Sequence, residues 1–467
     1  LLQWHKDRLS MVRTRKVIKD NVWPVAKTEQ SKETSVANSL TTKVQNRWSV
    51  ALAGVIMQLL LGTVYAWSVF KKPFMASHGW SNEQVGLAFT LAILFIGLAA
   101  AFGGKFVDKA GARKVATVAA ILFGLGTILT GVADKMGSLA MLYIGYGIIA
   151  GIGNGLGYVT PIAVLVRWFP DKRGFITGLA VMGFGFGAAI LGQIAPFMIP
   201  KTGMVDGALA ITETGMGLAS TFYIFGAAFL VILLIAAQFL NNPPADWTPP
   251  VVTQKKTAAP ATASVNLNSA LRMPQFYILW LILFINVTVG IALISNLSPL
   301  VQDACGITAV VAGTVIFIAS LFNGLGRIIW SSLSDKLGRK GVFMLILGTQ
   351  VPLFFLLPQI GNVVVFTIVA CYILACYGGG FATMPAYAAD TFGTKNMGSI
   401  YGKILLAWAA AGVAGPILME KIKSSSGSFK TAIYVAAVML AIGFVTNLCY
   451  RKPVPATSEE AVVPSPA

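Results

Sequence analysis

The chain has 467 residues, is 56% hydrophobic and only 11% charged, and carries a formal net charge of +18. A water-soluble globular chain carries about 25% charged residues, so this composition excludes a soluble fold of this size. The basic excess does not point to nucleic acid, because the Lys and Arg residues flank apolar runs and form no patch between soluble elements.

In chain order, residues 1–46 are polar and basic and lack the apolar core of a signal peptide. They read as a cytoplasmic tail, with Met11 its first candidate start. Twelve apolar runs follow, each near the ~20 residues that cross a bilayer as helix. The predicted spans are roughly 48–70, 84–104, 115–133, 139–166, 174–198, 218–240, 275–300, 308–333, 341–360, 363–388, 397–420 and 430–449. Residues 47–240 and 273–450 thus form two six-helix halves. A linker rich in Pro, Ala and Thr, residues 241–272, joins them. The tail 451–467 is rich in Pro and Ala and is expected to be disordered.

With both termini inside, the outer segments hold only Lys71, Lys72, Lys135, Lys201, Lys421, Lys423 and Lys430 of the Lys and Arg residues. That bias predicts a multi-pass cell-membrane protein with both termini cytoplasmic. Cys305, Cys371, Cys376 and Cys449 lie in or beside apolar runs and read as free thiols. His5 and His78 lie outside those runs, so no His-based metal site is visible in the membrane, and no cofactor is expected.

Three features recur at nearly one spacing. Asp108-Lys109-Ala110-Gly111 returns as Asp335-Lys336-Leu337-Gly338, Gly155 and Pro161 as Gly379 and Pro385, and Phe169 and Lys172 as Phe392 and Lys395. A parallel repeat of this kind puts a pseudo-two-fold axis along the membrane normal and a substrate site at midplane between the halves.

Gly104-Lys105-Phe106-Val107-Asp108-Lys109-Ala110-Gly111-Ala112-Arg113-Lys114 resembles the loop 2–3 signature of the major facilitator superfamily. Asn46-Arg47-Trp48, Tyr65-Ala66-Trp67-Ser68, Arg167-Trp168-Phe169-Pro170-Asp171-Lys172-Arg173-Gly174, Leu271-Arg272-Met273-Pro274-Gln275-Phe276 and Phe322-Asn323-Gly324-Leu325-Gly326-Arg327 are similar to the oxalate/formate antiporter family, which is related to the monocarboxylate porters. The likeness runs from Asn46 to Tyr450. It implies an all-α membrane protein of twelve transmembrane helices in two pseudo-symmetric six-helix halves. It further implies a monomer that moves a small organic anion, with protons as a candidate co-ion. Gating at the cytoplasmic side falls, by the same resemblance, to Asp108, Arg113, Asp335 and Arg339.

Arg327 is the sharpest site signal, because it lies about eight residues, roughly 12 Å of helix, inside Asp335. An arginine at that depth normally faces the bundle interior or a water-filled cavity, and its fork fits a carboxylate. The plainer reading is a structural arginine bonded to carbonyls. Asn323, one turn earlier on the same face, can orient Arg327 or simply pack. Monocarboxylate porters of animals resemble this chain but carry an aspartate there. Lys403, near the inner face, reads as a snorkelling cation. The oxalate exchanger's second cation aligns with Trp408, so the resemblance favours lactate, pyruvate or formate over oxalate. Tyr65, Tyr158, Tyr377, Phe381 and Trp408 match positions around the family's central site, although aromatics are common enough here that each reads equally as packing.

Gly147, Gly151 and Gly155 read as a close helix contact. Gly378-Gly379-Gly380 with Pro385, and Gly415-Pro416, read as packing or as bending points. No Asp or Glu lies mid-span, so an acidic proton relay is not visible. The expected function is secondary transport of small monocarboxylates. The alternatives are an oxalate/formate-type exchanger or a major facilitator transporter of another solute. No nucleophile–base set, metal set or cofactor loop supports an enzyme.

Overall fold

In lipid every backbone N–H and C=O must be satisfied within the segment, so long apolar runs fold as helices. The computed structural model describes residues 45–205, 208–244, 247–248, 264–307, 309–426 and 429–453. Nearly all of the predicted N-terminal tail, the middle of the linker and most of the C-terminal tail lie outside these residues. The protein has twelve helices long and apolar enough to cross a membrane. Numbered as spans 1 to 12, they are Arg47–Ala66, Glu83–Ala110, Ala112–Met136, Leu139–Trp168, Arg173–Phe197, Leu218–Phe239, Pro274–Ile294, Thr314–Leu337, Arg339–Gln359, Val363–Phe392, Met397–Gly415 and Phe429–Leu448.

Span 3 packs on span 6, span 2 on span 4, and span 8 on span 10. Two seams join the first six spans to the last six: span 2 against span 11, and span 5 against span 8. The end of the bundle that carries Arg47, Tyr450 and both Asp-Lys-x-Gly loops is called the basic end below. In each loop the glycine ends one helix and starts the next with a positive φ, 89° at Gly111 and 80° at Gly338. A side chain at either place would be strained. Gly147, Gly151 and Gly155 all face span 2, as their spacing predicts. Gly378, Gly379 and Gly380 abut Asn323, Trp330 and Asn286 respectively, which is a packing role for each.

The structure departs from twelve simple rods at four places. Span 1 tightens into a 3-10 stretch over Gly62–Ala66 and then continues as a helix, Trp67–His78. Span 5 crosses it there so closely that a Cβ at Gly62 would run into the Phe184 carbonyl oxygen. Side chains from span 4 take nearby span 1 carbonyls: Asn154 Nδ2 donates to the Leu61 oxygen at 2.8 Å, and Tyr146 OH to the Val64 oxygen at 3.1 Å. Span 4 itself carries a π-helical stretch, Tyr143–Ala150. Span 11 turns at Leu405, just before Trp408. The loop between spans 5 and 6, for which no structure was anticipated, holds an antiparallel hairpin of β1 (Lys201–Val205) and β2 (Ala208–Glu213).

Candidate functional site

Arg327 projects from span 8 into the middle of the span 5–span 8 seam and is 6% exposed. Its Nη1 donates to the Val181 carbonyl oxygen of span 5 at 2.9 Å, and its Nη2 to Asn323 Oδ1 at 3.3 Å. Nε has no partner. A Cβ at Gly185 would stand 3.4 Å from Nε, so glycine on span 5 keeps that edge clear. No carboxylate pairs with Arg327 among the described residues. A buried guanidinium cannot shed its charge, and two neutral oxygens compensate it only in part. The Nε–Nη2 edge, one donor free and one loosely held, is the edge that grips a carboxylate side-on.

An aromatic cage stands beside this charge. Trp408 contacts Phe381, Tyr158 and Phe184 with ring centroids 5.2, 5.3 and 6.0 Å apart. Tyr158 contacts Phe184 at 5.1 Å, and Tyr65 contacts Phe184 at 5.4 Å. The Arg327 guanidinium carbon lies 5.9 Å from the Phe381 ring centre. The phenols of Tyr65, Tyr158, Tyr377 and Tyr401 all lie within electrostatic reach of Arg327. Tyr65 faces the Trp408 indole, and Tyr158 faces Tyr401, yet Trp408 Nε1, Tyr158 OH and Tyr401 OH make no hydrogen bond of good geometry. Buried polar groups are normally paired. Several unpaired polar groups thus converge beside one cation that has no carboxylate partner among the described residues. In this state the rings touch one another, so the cage is contracted.

The basic end is closed by two crossed latches. Asp108, at the end of span 2, accepts bonds from the Gly398 and Ser399 backbone N–H groups and the Ser399 hydroxyl, at 3.1, 2.6 and 2.6 Å. It thereby caps span 11 of the other half, where a carboxylate is favoured by the helix dipole. Arg167 pairs with Asp108 at 2.7 Å and donates to the carbonyl oxygens of Thr394 and Lys395. In mirror fashion Asp335, at the end of span 8, accepts from the Gly174 and Phe175 N–H groups of span 5 at 2.8 and 2.9 Å. Arg339 pairs with Asp335 at 2.7 Å and with Asp390 at 2.8 Å, and Arg173 pairs with Asp390 at 2.6 Å.

Of the residues singled out in the sequence, Arg327, Asn323, Tyr65, Tyr158, Tyr377, Phe381 and Trp408 are brought together at the centre. Asp108, Asp335 and Arg339 meet in the latches. Arg113 does not join them: it is exposed on the turn after Gly111, and the guanidinium at Asp108 is that of Arg167. Phe184 and Tyr401 of the cage, and Arg167, Arg173 and Asp390 of the latches, were not singled out. For Arg167 a signal existed, since it stands at the place in the repeat that Asp390 occupies in the second half, with the charge inverted.

Twelve spans in two six-span halves, joined by latches at one end, are the architecture of a membrane transporter. The Major Facilitator Superfamily profile matches residues 48–416, and the chain belongs to that superfamily. Within it the likeness runs to the oxalate/formate antiporter family and, further off, to the monocarboxylate porters. The oxalate:formate antiporter of Oxalobacter formigenes is 29% identical, over 85% of this chain and 90% of its own length. The apicoplast pyruvate carrier 1 of Toxoplasma gondii is 25% identical, over 84% of this chain and 87% of its own. Among solved structures, the transporter FucP in its outward conformation superposes with a TM-score of 0.63 at 15% identity. That match covers 85% of this chain and 97% of FucP, and establishes the shared fold.

Proposed function

We propose that the protein exchanges small monocarboxylates such as formate, lactate or pyruvate across the cell membrane, with Arg327 as the substrate's counter-ion and the basic end in the cytoplasm. The observation that carries this reading is a buried guanidinium with an open side-on edge and no carboxylate partner among the described residues. The named activities of the Oxalobacter and Toxoplasma relatives support the carboxylate class. The single charge of the substrate follows from Coulomb balance. Arg327 neutralises one carboxylate, and the resemblance puts Trp408 where an oxalate exchanger has its second cation, so a dianion would keep an uncompensated charge at low dielectric.

Binding also bears on the cycle. Nη1 ties span 8 to the Val181 carbonyl of span 5. A substrate carboxylate competes for those N–H groups and cancels the charge that resists movement through the membrane interior. The return step with a bare Arg327 is costly, which makes exchange the natural mode.

Counterflow in proteoliposomes tests this reading. Labelled formate should be competed by lactate and pyruvate and poorly by oxalate. Trp408→Lys should shift the preference toward oxalate by about 10–150-fold, the worth of one added charge-assisted pair of about 1.5–3 kcal/mol. Oxalate competing as well as formate in the parent would defeat the monocarboxylate assignment. Uptake driven by a pH gradient into empty vesicles would defeat obligatory exchange.

A further inference from the structure

Lys403 of span 11 takes no part in the site or the latches. Its ammonium lies 3.7 Å from the centre of the Phe102 ring on span 2, across the seam between the halves. Lys105, one turn nearer the basic end, is close enough to act on it electrostatically. Phe102, Lys105, Phe106 and Lys109 recur at helical spacing and form one exposed stripe of span 2, with Phe102 60% and Phe106 59% exposed. Among the described residues none of the three lysines forms an ion pair. The acid of this region, Asp108, is taken by Arg167 and span 11.

The repeat supplies an internal control. On the other seam the corresponding stripe of span 8 reads Ile329, Ser332, Leu333 and Lys336, and span 5 has Leu179 where span 11 has Lys403. The general preference for cations at one membrane face acts on both seams alike, so it does not account for a cluster at one of them. Like charges brought together without an acid repel, unless an anion is shared between them.

We propose that this end of the span 2–span 11 seam binds the headgroup phosphate of an anionic phospholipid, held between Lys105 and Lys403, with its acyl chains along Phe102 and Phe106. The exposed rings select a lipid over a free anion, because they offer apolar contact at the depth of the upper chains. Aromatic and basic residues at a membrane interface suit this ligand. The two cations come from opposite halves, so the headgroup bridges the seam while the basic end is closed. None of these residues belongs to the Arg327 pocket, so the proposal stands apart from the substrate assignment.

Titration of the full-length purified protein with phosphatidylglycerol and with phosphatidylcholine, read by native mass spectrometry, tests the site. The double variant Lys105→Gln/Lys403→Gln should lose phosphatidylglycerol affinity by about 20–30-fold, the worth of two interfacial cations, with phosphatidylcholine binding unchanged. Lys403→Arg should retain phosphatidylglycerol. If the double variant does not stay folded, Lys105→Gln alone, on an exposed side chain, should show about a fivefold loss. Unchanged phosphatidylglycerol affinity in these variants would overturn the proposal. Displacement of phosphatidylglycerol by an equal concentration of glycerol phosphate would overturn the choice of a lipid as the ligand.

Discussion

Arg327→Gln is expected to cut formate and lactate counterflow by about 100-fold or more, the cost of removing one partner from a desolvated charge pair. The same change should leave the melting temperature unchanged or raise it, because a buried cation with only neutral partners is a burden on the resting protein. Those opposite signs separate a substrate counter-ion from a structural arginine, whose loss would lower both. Arg327→Lys keeps the charge but not the fork, and should fall between the two, about tenfold below the parent. Counterflow rates and thermal melts on the same preparations decide the matter. Parent-like organic-anion exchange by Arg327→Gln would end the carboxylate reading and leave the fold.

Gly104→Val is expected to hold the basic end open. A Cβ at Gly104 would run into the Gly398 carbonyl oxygen, and one at Gly174 into that of Ser331, each within a latch. Backbone cannot step aside as a flexible side chain can. Overpacking of this kind costs about 1–3 kcal/mol, enough to shift a two-state equilibrium by roughly 5–150-fold. Gly174→Val, on the other seam, should act in the same direction, which makes a local folding defect at one site a poor rival explanation. Spin labels at Lys109→Cys and Lys395→Cys, both exposed and on opposite halves, would read the separation after Cys305, Cys371, Cys376 and Cys449 are replaced. Longer distances in both valine variants, with exchange lost, are expected. Distance distributions matching the parent's in both would refute the closed-seam account.

The two variants probe features that differ in how visible they were before the structure. Arg327 stood out because a charge deep in an apolar run has few cheap explanations. The twelve spans stood out because lipid demands long apolar helices. The contacts of Gly104 and Gly174 could not be read, since a glycine in a membrane helix looks the same against backbone as against lipid. Arg113 was chosen by its place in a motif. The turn at Gly111 sends it outward, and Arg167, some 60 residues on in the chain, reaches Asp108 instead. Tyr401 and Phe184 entered the cage because of how spans 11 and 5 cross, which composition does not encode. The 3-10 stretch at Gly62–Ala66 was hidden for the same reason. The hairpin after span 5 went unread, although its paired residues Val205 and Ala208 flank Asp206-Gly207, a strong turn dipeptide.

The crossing of the two latches also bears on descent. Each half supplies one carboxylate loop and one receiving helix, and the receiving partner is largely main-chain N–H. Two identical six-helix chains docked about a two-fold axis would form both capping interactions with no additional residue, as in an isologous homodimer. The present chain has the form that such a pair would take if it were joined end to end and its members diverged. Arg167 and Asp390 record that divergence: one junction is now held by a single guanidinium, the other by two around a pair of acids. The two sides of the closed face are therefore unequal in what crosses them: Arg167 and Ser399 reach over to the opposite half at one junction, whereas Arg339 at the other bonds only within its own half.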